Sequence, residues 1–225
     1  FGKKIINIHI QDPKVSLNNF DYVVIPEHDG LNGKNVITSK GAIHYLRNEE
    51  LDKSINYLKP QIKKEKIVTL IVGGPTKHYN YDENVINQIF LKINRNFISK
   101  GFQLIFIPSM RTPKKTIDSA KNFFDKDQII ITKVDKKAYL SSLKLSDYII
   151  VTCDSTSMIS EAAITGKPVY VIEIPSKRDD YRFRQFRNLF MKLNIIRVFE
   201  DKLETWGYEK LDETQKIAEK IKNKL

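Results

Sequence analysis

The sequence has 225 residues, of which 41% are hydrophobic and 29% are charged, and its formal net charge is +11. No apolar run approaches the roughly 20 residues that a membrane-spanning helix needs. Its one cysteine, Cys153, excludes an internal disulfide and a thiolate metal cage, and we expect a buried, inert thiol in a reducing cytoplasm. The positive charge indicates either polyanionic ligands or an ordinary solvated surface. No RNP-like aromatic motif or zinc-finger spacing supports nucleic acid as a partner.

Short β-rich runs alternate with amphipathic stretches along the chain. We predict strands at residues 5–10, 22–25, 67–72, 103–108, 129–132, 148–152 and 168–172, and helices at residues 82–100, 116–124, 136–145 and 154–165. The runs IVTLIVGG and DYIIVT are almost wholly apolar, which is typical of parallel strands that helices cover on both faces. This alternation predicts βαβ units and an α/β fold with parallel sheets.

A charged segment at residues 47–65 separates two runs of strands. We predict a partial N-terminal Rossmann-like domain and linker at residues 1–60, and a C-terminal Rossmann-like domain at residues 61–225. The sequence does not begin with methionine, and its first residues, FGKKIINIHIQDP, are typical of an ordered element, so we expect that more of the N-terminal domain precedes them. Residues 210–225 predict an amphipathic helix that packs across the domain junction, with the apolar positions Leu211, Ile217, Ile221 and Leu225.

The segment TCDSTSMISEAAITGKPVYVI, at residues 152–172, carries a row of four polar residues after a predicted buried strand. A helix that starts at the carboxyl edge of a parallel sheet presents unpaired N–H groups and a positive dipole end to anions. Ser155, Thr156 and Ser157 would add hydroxyl donors for a phosphate. Simple helix capping is the alternative, and it accounts for one of the four residues.

Glu161 lies in the second turn of the same predicted helix. A capping box would require Ser or Thr three positions earlier, where Met158 stands. At about 100° per residue, Glu161 shares a face with Ser157 and Thr165, away from the apolar stripe of the helix. We predict that its carboxylate accepts hydrogen bonds from a ribose diol, with phosphates bound one turn earlier. A solvated glutamate is the alternative.

Two further predicted strands end in candidate phosphate-binding residues. LIVGGPTKHY places Gly73 and Gly74 where a backbone without side chains lets a ligand approach closely, and Thr76 and Lys77 follow. IPSMRTP places Arg111 after the next strand, where its guanidinium could clamp a phosphate. The alternatives are a tight strand-to-helix turn and a surface arginine. The glycine segment matches neither GxGxxG nor GxxxxGK[ST], which disfavours NAD-binding and P-loop sites.

His28 and Asp29 follow the predicted strand at residues 22–25 in the first domain. A histidine at a strand end can act as a general base, and Asp29 could orient the imidazole or replace it as the base. A structural turn without a catalytic role is the alternative. Neighbouring side chains of an extended segment point apart, so the adjacency alone does not make a catalytic pair.

Other chemistries lack support in the sequence. Ser155 does not lie in the GxSxG elbow of hydrolases, and the four histidines lack zinc-site spacing. Asp125 and Asp127 precede a predicted strand, whereas a metal–diphosphate site at the carboxyl edge of a sheet would need them after one. We therefore expect no required metal and no cofactor.

Six motifs follow one another in an order that resembles the mitochondrial-fission-protein-like family. They are IQDP, FDYVVIPEHD, GKNVITSKGAIH, LIVGGPTKHY, PSMRTP and DYIIVTCDSTSMISEAAITGKPVYV. The resemblance runs from about residue 8 to residue 199, and its last motif is the most specific. Bacterial members of this family are described as nucleoside-diphosphate-sugar glycosyltransferases. The resemblance implies a GT-B-like architecture, in which two Rossmann-like domains face each other across a cleft, here with a truncated N-terminal domain.

By this resemblance, the nucleoside diphosphate sugar would lie on the C-terminal domain. The glycine pair would face its diphosphate, the hydroxyls at residues 155–157 would bind phosphate, and Glu161 would bind the ribose. His28 or Asp29 would deprotonate the acceptor hydroxyl, and the transfer would be metal-independent. The net positive charge would favour an anionic membrane face, so we expect a cell-envelope glycan or lipid as the acceptor and peripheral contact with the inner face of the membrane. A nucleotide-sugar epimerase and a non-catalytic nucleotide-binding or scaffold protein are the alternatives.

Overall fold

Two parallel β-sheets form the framework of the protein. The computed structural model describes residues 5–224; residues 1–4 and 225, among them the predicted apolar position Leu225, lie outside this range. The smaller sheet contains, in the order β1-β2-β3, the strands β1 (Ile8–Ile10), β2 (Tyr22–Pro26) and β3 (Val36–Ser39). The larger sheet has the order β6-β5-β4-β7-β8-β9 and contains β4 (Lys66–Val72), β5 (Phe102–Pro108), β6 (Ile129–Ile130), β7 (Tyr148–Thr152), β8 (Val169–Ile172) and β9 (Ile196–Val198).

Helices connect the successive strands of the larger sheet. Within residues 5–224 the α-helices are α1 (Asn48–Ser54), α2 (Glu83–Asn96), α3 (Lys114–Phe123), α4 (Lys136–Leu145), α5 (Thr156–Ala163), α6 (Tyr181–Lys192) and α7 (Glu213–Lys222). Helices α2 to α6 each link two consecutive strands from β4 to β9, so the predicted α/β fold with parallel sheets is confirmed. None of the helices in this range is long and apolar enough to cross a bilayer.

The centre of the larger sheet explains why its strands are so apolar. All seven residues of β5 and six of the seven in β4 are buried. Helix α2 covers these strands with residues at helical spacing, among them Ile86, Phe90 and Ile93. The strand order reverses between β4 and β7, and in sheets of this kind a crevice opens beyond the carboxyl ends of the strands at such a point.

Several predicted elements are longer than the observed ones. The helix predicted at residues 82–100 divides at Phe97, whose backbone (φ −124°, ψ −59°) leaves the helical region before a 3₁₀ turn at Ile98–Lys100. The helix predicted at residues 154–165 begins later because Ser155 has an extended N-cap conformation (φ −139°, ψ 108°). The strand predicted at residues 5–10 begins at Ile8, and the one at residues 129–132 ends at Ile130.

Strands β3 and β9 and helices α1 and α6 were not predicted from the sequence. Helix α6 illustrates the reason. Phe186 and Phe190 are buried at a spacing of four residues, but arginines at positions 182, 184 and 187 surround them and obscure the apolar stripe. The two missed strands are only three and four residues long, too short for a clear period of two.

Residues 46–58 pack on the larger sheet, although they precede the predicted boundary at residue 60. Leu46, Leu51 and Leu58 are buried in the core of the larger sheet, and α1 packs against α4. The smaller sheet therefore connects to the larger one through residues 40–45. The division of the chain into domains at residue 60 stays a prediction.

Helix α7 spans Glu213–Lys222, within the segment predicted as a helix at residues 210–225, and packs against the smaller sheet and the connection that follows it. Its packing across a domain junction stays a prediction. Ile217 packs into the apolar cluster of β2 and β3. The buried carboxylate of Glu213 accepts a 2.6 Å hydrogen bond from the backbone N–H of Lys40. The hydroxyl of Thr214 both accepts from the N–H of His44 (3.1 Å) and donates to its carbonyl oxygen. The helix thereby holds the connection between the sheets.

Candidate functional site

The carboxyl ends of β4, β5 and β7 meet at one edge of the larger sheet. In the observed register, the last residues of β4 lie opposite those of β5 and β7. Gly73, Arg111 and Asp154 follow these three strands, and the structure brings all three residues into contact. This edge is therefore the place where a ligand of a doubly wound sheet would be expected.

Asp154 lies at the centre of the edge, and its side chain is fully buried. Its carboxylate accepts hydrogen bonds from Nη2 of Arg111 (2.8 Å), the backbone N–H of Gly74 (3.2 Å) and the hydroxyl of Thr152 (2.7 Å). The hydroxyl of Tyr81 also lies within hydrogen-bonding distance of this carboxylate. A buried carboxylate without such donors would be strongly destabilising, so these contacts are what permit its burial.

The glycine pair is required by the packing of the protein's own residues. A Cβ atom on Gly73 would lie 2.1 Å from Oδ2 of Asp154, and one on Gly74 would lie 1.9 Å from the carbonyl oxygen of Arg111. No side chain fits at either position without displacing this network. The tight turn weighed in the sequence analysis thus accounts for both glycines, and their contact with a diphosphate stays a prediction.

Arg111 is oriented but not enclosed. Its guanidinium binds Asp154 and lies 3.4 Å from the carbonyl oxygen of Gly74, while 41% of its side chain remains exposed. The loop is anchored by Thr112, whose hydroxyl lies 2.7 Å from the carbonyl oxygen of Val72. Because a guanidinium has five N–H donors and these contacts engage two of its nitrogens, Arg111 keeps donors for a further anion.

Thr76 and Lys77 lie in the loop after the glycine pair. The hydroxyl of Thr76 accepts hydrogen bonds from the backbone N–H groups of His78 (3.1 Å) and Tyr79 (3.2 Å), so it stabilises the turn. Lys77 is exposed. The carbonyl oxygen of His78 accepts a 2.7 Å hydrogen bond from the N–H of Lys177, which ties this loop to the segment after β8. A ligand role for Thr76 and Lys77 stays a prediction.

Helix α5 begins at the same edge, directly after β7. Ser155 is its N-cap, since its hydroxyl oxygen accepts a 3.3 Å hydrogen bond from the N–H of Met158. Thr156 and Ser157 occupy the first two helical positions, the former half-buried and the latter exposed. The capping alternative is therefore correct for Ser155. The N–H groups of the first turn lie where an anion at the sheet edge would meet the positive end of the helix dipole.

Glu161 faces a cavity of about 370 Å³ at this edge. Its Oε2 atom accepts a 2.6 Å hydrogen bond from the hydroxyl of Tyr139. Burial raises the pKa of Glu161, while the hydrogen bond from Tyr139 and the charge of His44 act in the opposite direction. Burial and the neighbouring carboxylate raise the pKa of Tyr139, so its hydroxyl stays protonated and remains a donor. Tyr139 thus fixes one carboxylate oxygen and leaves Oε1 for another partner.

The walls of this cavity are mainly apolar. Ile71, Ile107 and Pro108 contribute from β4 and β5. Three large apolar side chains at its margin are more than half exposed: Tyr45, Met110 and Val134. Exposed apolar side chains gathered around a concave surface that also contains a few polar groups are typical of a small-molecule site.

The candidate catalytic residues lie at a different place, after β2 of the smaller sheet. The buried carboxylate of Asp29 forms a two-point ion pair with Arg182 of α6, with 2.7 Å between Nη2 and Oδ2. The imidazole of His28 is 2% exposed and packs edge-on against the ring of Phe186, with 5.1 Å between the centroids. Among residues 5–224 neither ring nitrogen has a hydrogen-bond partner, and Nε2 lies 3.6 Å from Oδ1 of Asp29.

Burial lowers the pKa of His28; the charge of Asp29 raises it, and that of Arg182 lowers it. The imidazole is therefore neutral at physiological pH and able to accept a proton. His28 and Asp29 both line a polar cavity of about 320 Å³, whose other lining residues are Gln11, Asp12, Lys14, Tyr181 and Arg182.

In the part of the chain that the structure describes, no group of three or more His, Cys, Asp or Glu residues is arranged to hold a metal ion. Cys153 is buried, its Sγ atom accepts a 3.2 Å hydrogen bond from the N–H of Ile174, and burial raises its pKa to about 11. The predicted burial of Cys153 is confirmed, and its chemical inertness stays a prediction.

Four side chains of these sites were given no role on the basis of the sequence. Asp154 had a usable signal, since it directly follows the apolar run of β7 at the edge where ligands bind. Tyr81 and Tyr139 gave none, because they reach the carboxylates of Asp154 and Glu161 only through the tertiary fold. Arg182 had no role assigned because helix α6, in which it lies, was not predicted.

Comparison with known proteins gives the family and the fold class. The family profile described as Mitochondrial fission ELM1 matches residues 1–225. The Mitochondrial fission protein ELM1 of Arabidopsis thaliana is 25% identical over 254 residues, which cover 100% of this chain and 59% of that protein. The UDP-N-acetylglucosamine--N-acetylmuramyl-(pentapeptide) pyrophosphoryl-undecaprenol N-acetylglucosamine transferase of Flavobacterium psychrophilum is 26% identical over 160 residues, covering 71% of this chain and 39% of that one. The chain spans less than two thirds of the length of either relative.

The UDP-GlcNAc 2-epimerase from Methanocaldococcus jannaschii has a similar structure, with a TM-score of 0.52 at 14% identity over 92% of this chain and 63% of that chain. At this identity the likeness concerns the fold, and together with the two parallel sheets it confirms the predicted GT-B-like α/β class. The match of the family profile covers every residue of the sequence, and the chain therefore belongs to the mitochondrial fission ELM1 family.

Proposed function

We propose that the protein transfers a sugar from a nucleoside diphosphate sugar to an acceptor hydroxyl. The observation that carries this proposal is the cavity at the edge of the larger sheet, which has apolar walls and a half-buried carboxylate. The N-terminus of α5 and the partly exposed guanidinium of Arg111 lie at the same edge. The similar transferase of Flavobacterium psychrophilum is named for a UDP-sugar donor, which supports the same donor class here.

The donor would lie along the edge with its base in the apolar cavity. Oε1 of Glu161 would accept hydrogen bonds from the ribose, since Tyr139 holds Oε2. Ser157 lies one helical turn before Glu161, a rise of about 6 Å, which is comparable with the separation of a ribose from its diphosphate. The N-terminus of α5 and the free donors of Arg111 would then bind the phosphates.

The acceptor would enter from the side of the smaller sheet. His28 accepts the proton of the acceptor hydroxyl, since Arg182 occupies both oxygens of Asp29 and burial keeps the imidazole neutral. The acceptor oxygen forms a bond to the anomeric carbon, and the bond from that carbon to the diphosphate oxygen breaks. Arg111 and the dipole of α5 stabilise the negative charge of the leaving diphosphate.

A nucleotide-sugar epimerase is the second candidate, because the structure of the chain resembles that of the UDP-GlcNAc 2-epimerase. The two candidates share the donor site but differ in product. A transferase releases the nucleoside diphosphate only when an acceptor is present, whereas an epimerase returns a donor with inverted configuration at one sugar carbon.

Binding of uridine diphosphate, measured by calorimetry, tests the donor site. We expect Glu161→Ala to lower the affinity about 10- to 100-fold, the loss expected for hydrogen bonds to a charged group. Glu65→Ala, at an exposed glutamate away from the cavity, is the control. Equal affinities of the two variants would refute the ribose role of Glu161, and absence of binding by the unmodified protein at millimolar ligand would refute the proposal. Product analysis of UDP-N-acetylglucosamine by NMR then separates transfer from epimerisation.

A further inference from the structure

A polar cavity lies between the carboxyl ends of β1 and β2 and the first turn of α6. Its chemistry differs from that of the donor cavity, because charged and amide side chains make up most of its lining. His28 stands out among them, since it lines this cavity and both nitrogens of its nearly fully buried ring lack a hydrogen-bond partner in the described structure. A buried polar group without a partner is costly, which points to a ligand that supplies one.

The charges of this cavity are balanced pair by pair. Asp12 forms an ion pair with Lys14, and Asp29 forms one with Arg182. A phosphate would meet two carboxylates together with the two cations, and an amine would meet two cations together with the two carboxylates. Neither an anionic nor a cationic acceptor group is therefore favoured by the net charge.

The paired groups nevertheless keep hydrogen-bonding capacity. Each carboxylate has about four acceptor sites, a guanidinium has five donors, and Gln11 adds an amide with both. The ring of Tyr181, with 59% of the residue exposed, provides a flat apolar face at the rim. A ligand that suits this combination has many hydroxyls and one apolar CH face, which are the properties of a pyranose.

The backbone of the rim is held in an uncommon conformation. Gln11 (φ 82°) and Lys14 (φ 57°) both adopt positive φ values, which L-amino acids rarely do. The chain between them places Asp12 and Lys14 on the cavity. Two such residues within four positions of the lining are typical of a binding site, where the surrounding structure maintains the strain.

We propose that this cavity binds a neutral saccharide and that the acceptor is therefore a sugar hydroxyl. This inference rests on the proposed function, because the cavity accommodates the acceptor of that transfer. The first turns of α6 connect the two sites: Arg182 lines this cavity, and Phe183 contacts His78, with 5.5 Å between the ring centroids, in the loop after the glycine pair. An acceptor here would place its hydroxyl beside His28.

Saturation-transfer NMR tests this inference with three probes at equal concentration: N-acetyl-D-glucosamine, sn-glycerol 3-phosphate and 1-hexanol. We expect saturation of the saccharide and little of the other two. Tyr181→Ala should weaken the saccharide signal about three- to tenfold, the range for loss of one aromatic contact. Tyr57→Ala, which removes an exposed tyrosine that lines neither cavity, should leave it unchanged. Asp12→Asn, a nearly isosteric change, should weaken it as well.

Each other outcome overturns the inference. Preference for the phosphate would indicate an anionic acceptor, preference for hexanol a lipid alcohol, and a saccharide signal that Tyr181→Ala and Asp12→Asn leave unchanged would place the sugar elsewhere. Parallel titration with uridine diphosphate separates the two proposals. Nucleotide binding without a saccharide signal refutes only the saccharide site, whereas a saccharide signal without nucleotide binding refutes the proposed function.

Discussion

The guanidinium of Arg111 lies 2.8 Å from the buried carboxylate of Asp154 at the edge of the larger sheet. This pair joins two loops that follow different strands, β5 and β7, and it encloses the glycine turn that follows β4. A ligand that binds Arg111 would thus meet a side chain whose direction is already fixed. Such preorganisation lowers the entropy lost on binding.

Asp154 should act on nucleotide binding through Arg111. We expect Arg111→Ala to lower the affinity for uridine diphosphate roughly 10- to 100-fold. Asp154→Asn should lower it less, and the double variant should match Arg111→Ala alone, because without the guanidinium there is nothing for Asp154 to orient. Calorimetry on the four proteins gives this double-mutant cycle, after thermal unfolding has shown that each is folded. Independent, additive losses would contradict the positioning role.

The glycine pair should tolerate no side chain. Gly73→Ala places a Cβ atom 2.1 Å from Asp154, and such overpacking typically costs about 1–3 kcal/mol of the free energy of unfolding. Gly207→Ala is the matched control, because no atom lies within 4 Å of its added Cβ. Urea denaturation of both variants measures the difference. Equal stability would show that the turn relaxes, and the packing explanation of Gly73 would then be wrong.

The buried imidazole of His28 should make the stability of the protein depend on pH. Burial lowers its pKa in the folded state, whereas in the unfolded chain it titrates near its ordinary value of about 6.5. As the pH falls below that value, the unfolded state binds more protons and the folded state loses stability. We expect the free energy of unfolding of the unmodified protein to fall relative to that of His28→Gln from pH 7 to pH 5. If the free energies of unfolding of the two proteins changed equally with pH, the interpretation of His28 as a buried neutral imidazole would be wrong.

Lys167 should make the stability of the protein depend on pH in the alkaline range. Its Nζ atom donates a hydrogen bond to the carbonyl oxygen of Leu143 (3.2 Å) at the end of α4, and burial lowers its pKa from 10.5 to about 8. Between these two values the unfolded chain holds the proton and the folded one releases it, so the contribution of Lys167 to stability rises with pH. Lys167→Met should remove this rise, while Lys34→Met, at an exposed lysine, should retain it. Urea denaturation from pH 7.5 to 10 measures both.

The larger sheet could be predicted from the sequence because its central strands are buried on both faces. An almost wholly apolar run such as IVTLIV in β4 is typical of a central strand that is buried on both faces. The smaller elements lacked this signal. Helix α6 presents its phenylalanines between arginines, and one of these, Arg182, binds Asp29 at a distance of 153 positions in the sequence.

The candidate site could likewise be predicted only in part. The row of hydroxyls and Glu161 could be located from their position after β7, since parallel strands bring such residues to one edge. Their partners could not, because Tyr139 approaches Glu161 from α4 and Tyr81 approaches Asp154 from the loop before α2. Sequence position indicates which edge a residue occupies, but the three-dimensional contacts decide whether its polar atoms are free for a ligand.

The position of α7 has a consequence for the synthesis of the protein. Val24 and Ile37 of the smaller sheet are covered by Ile217, which leaves the ribosome about 180 residues after Ile37. The larger sheet can assemble as soon as β9 has emerged, but the early strands keep an open apolar face until translation has passed the helix that covers them. Strands β2 and β3 are thus synthesised before the larger sheet but are buried after it, and during that interval their apolar face is open to association with other chains.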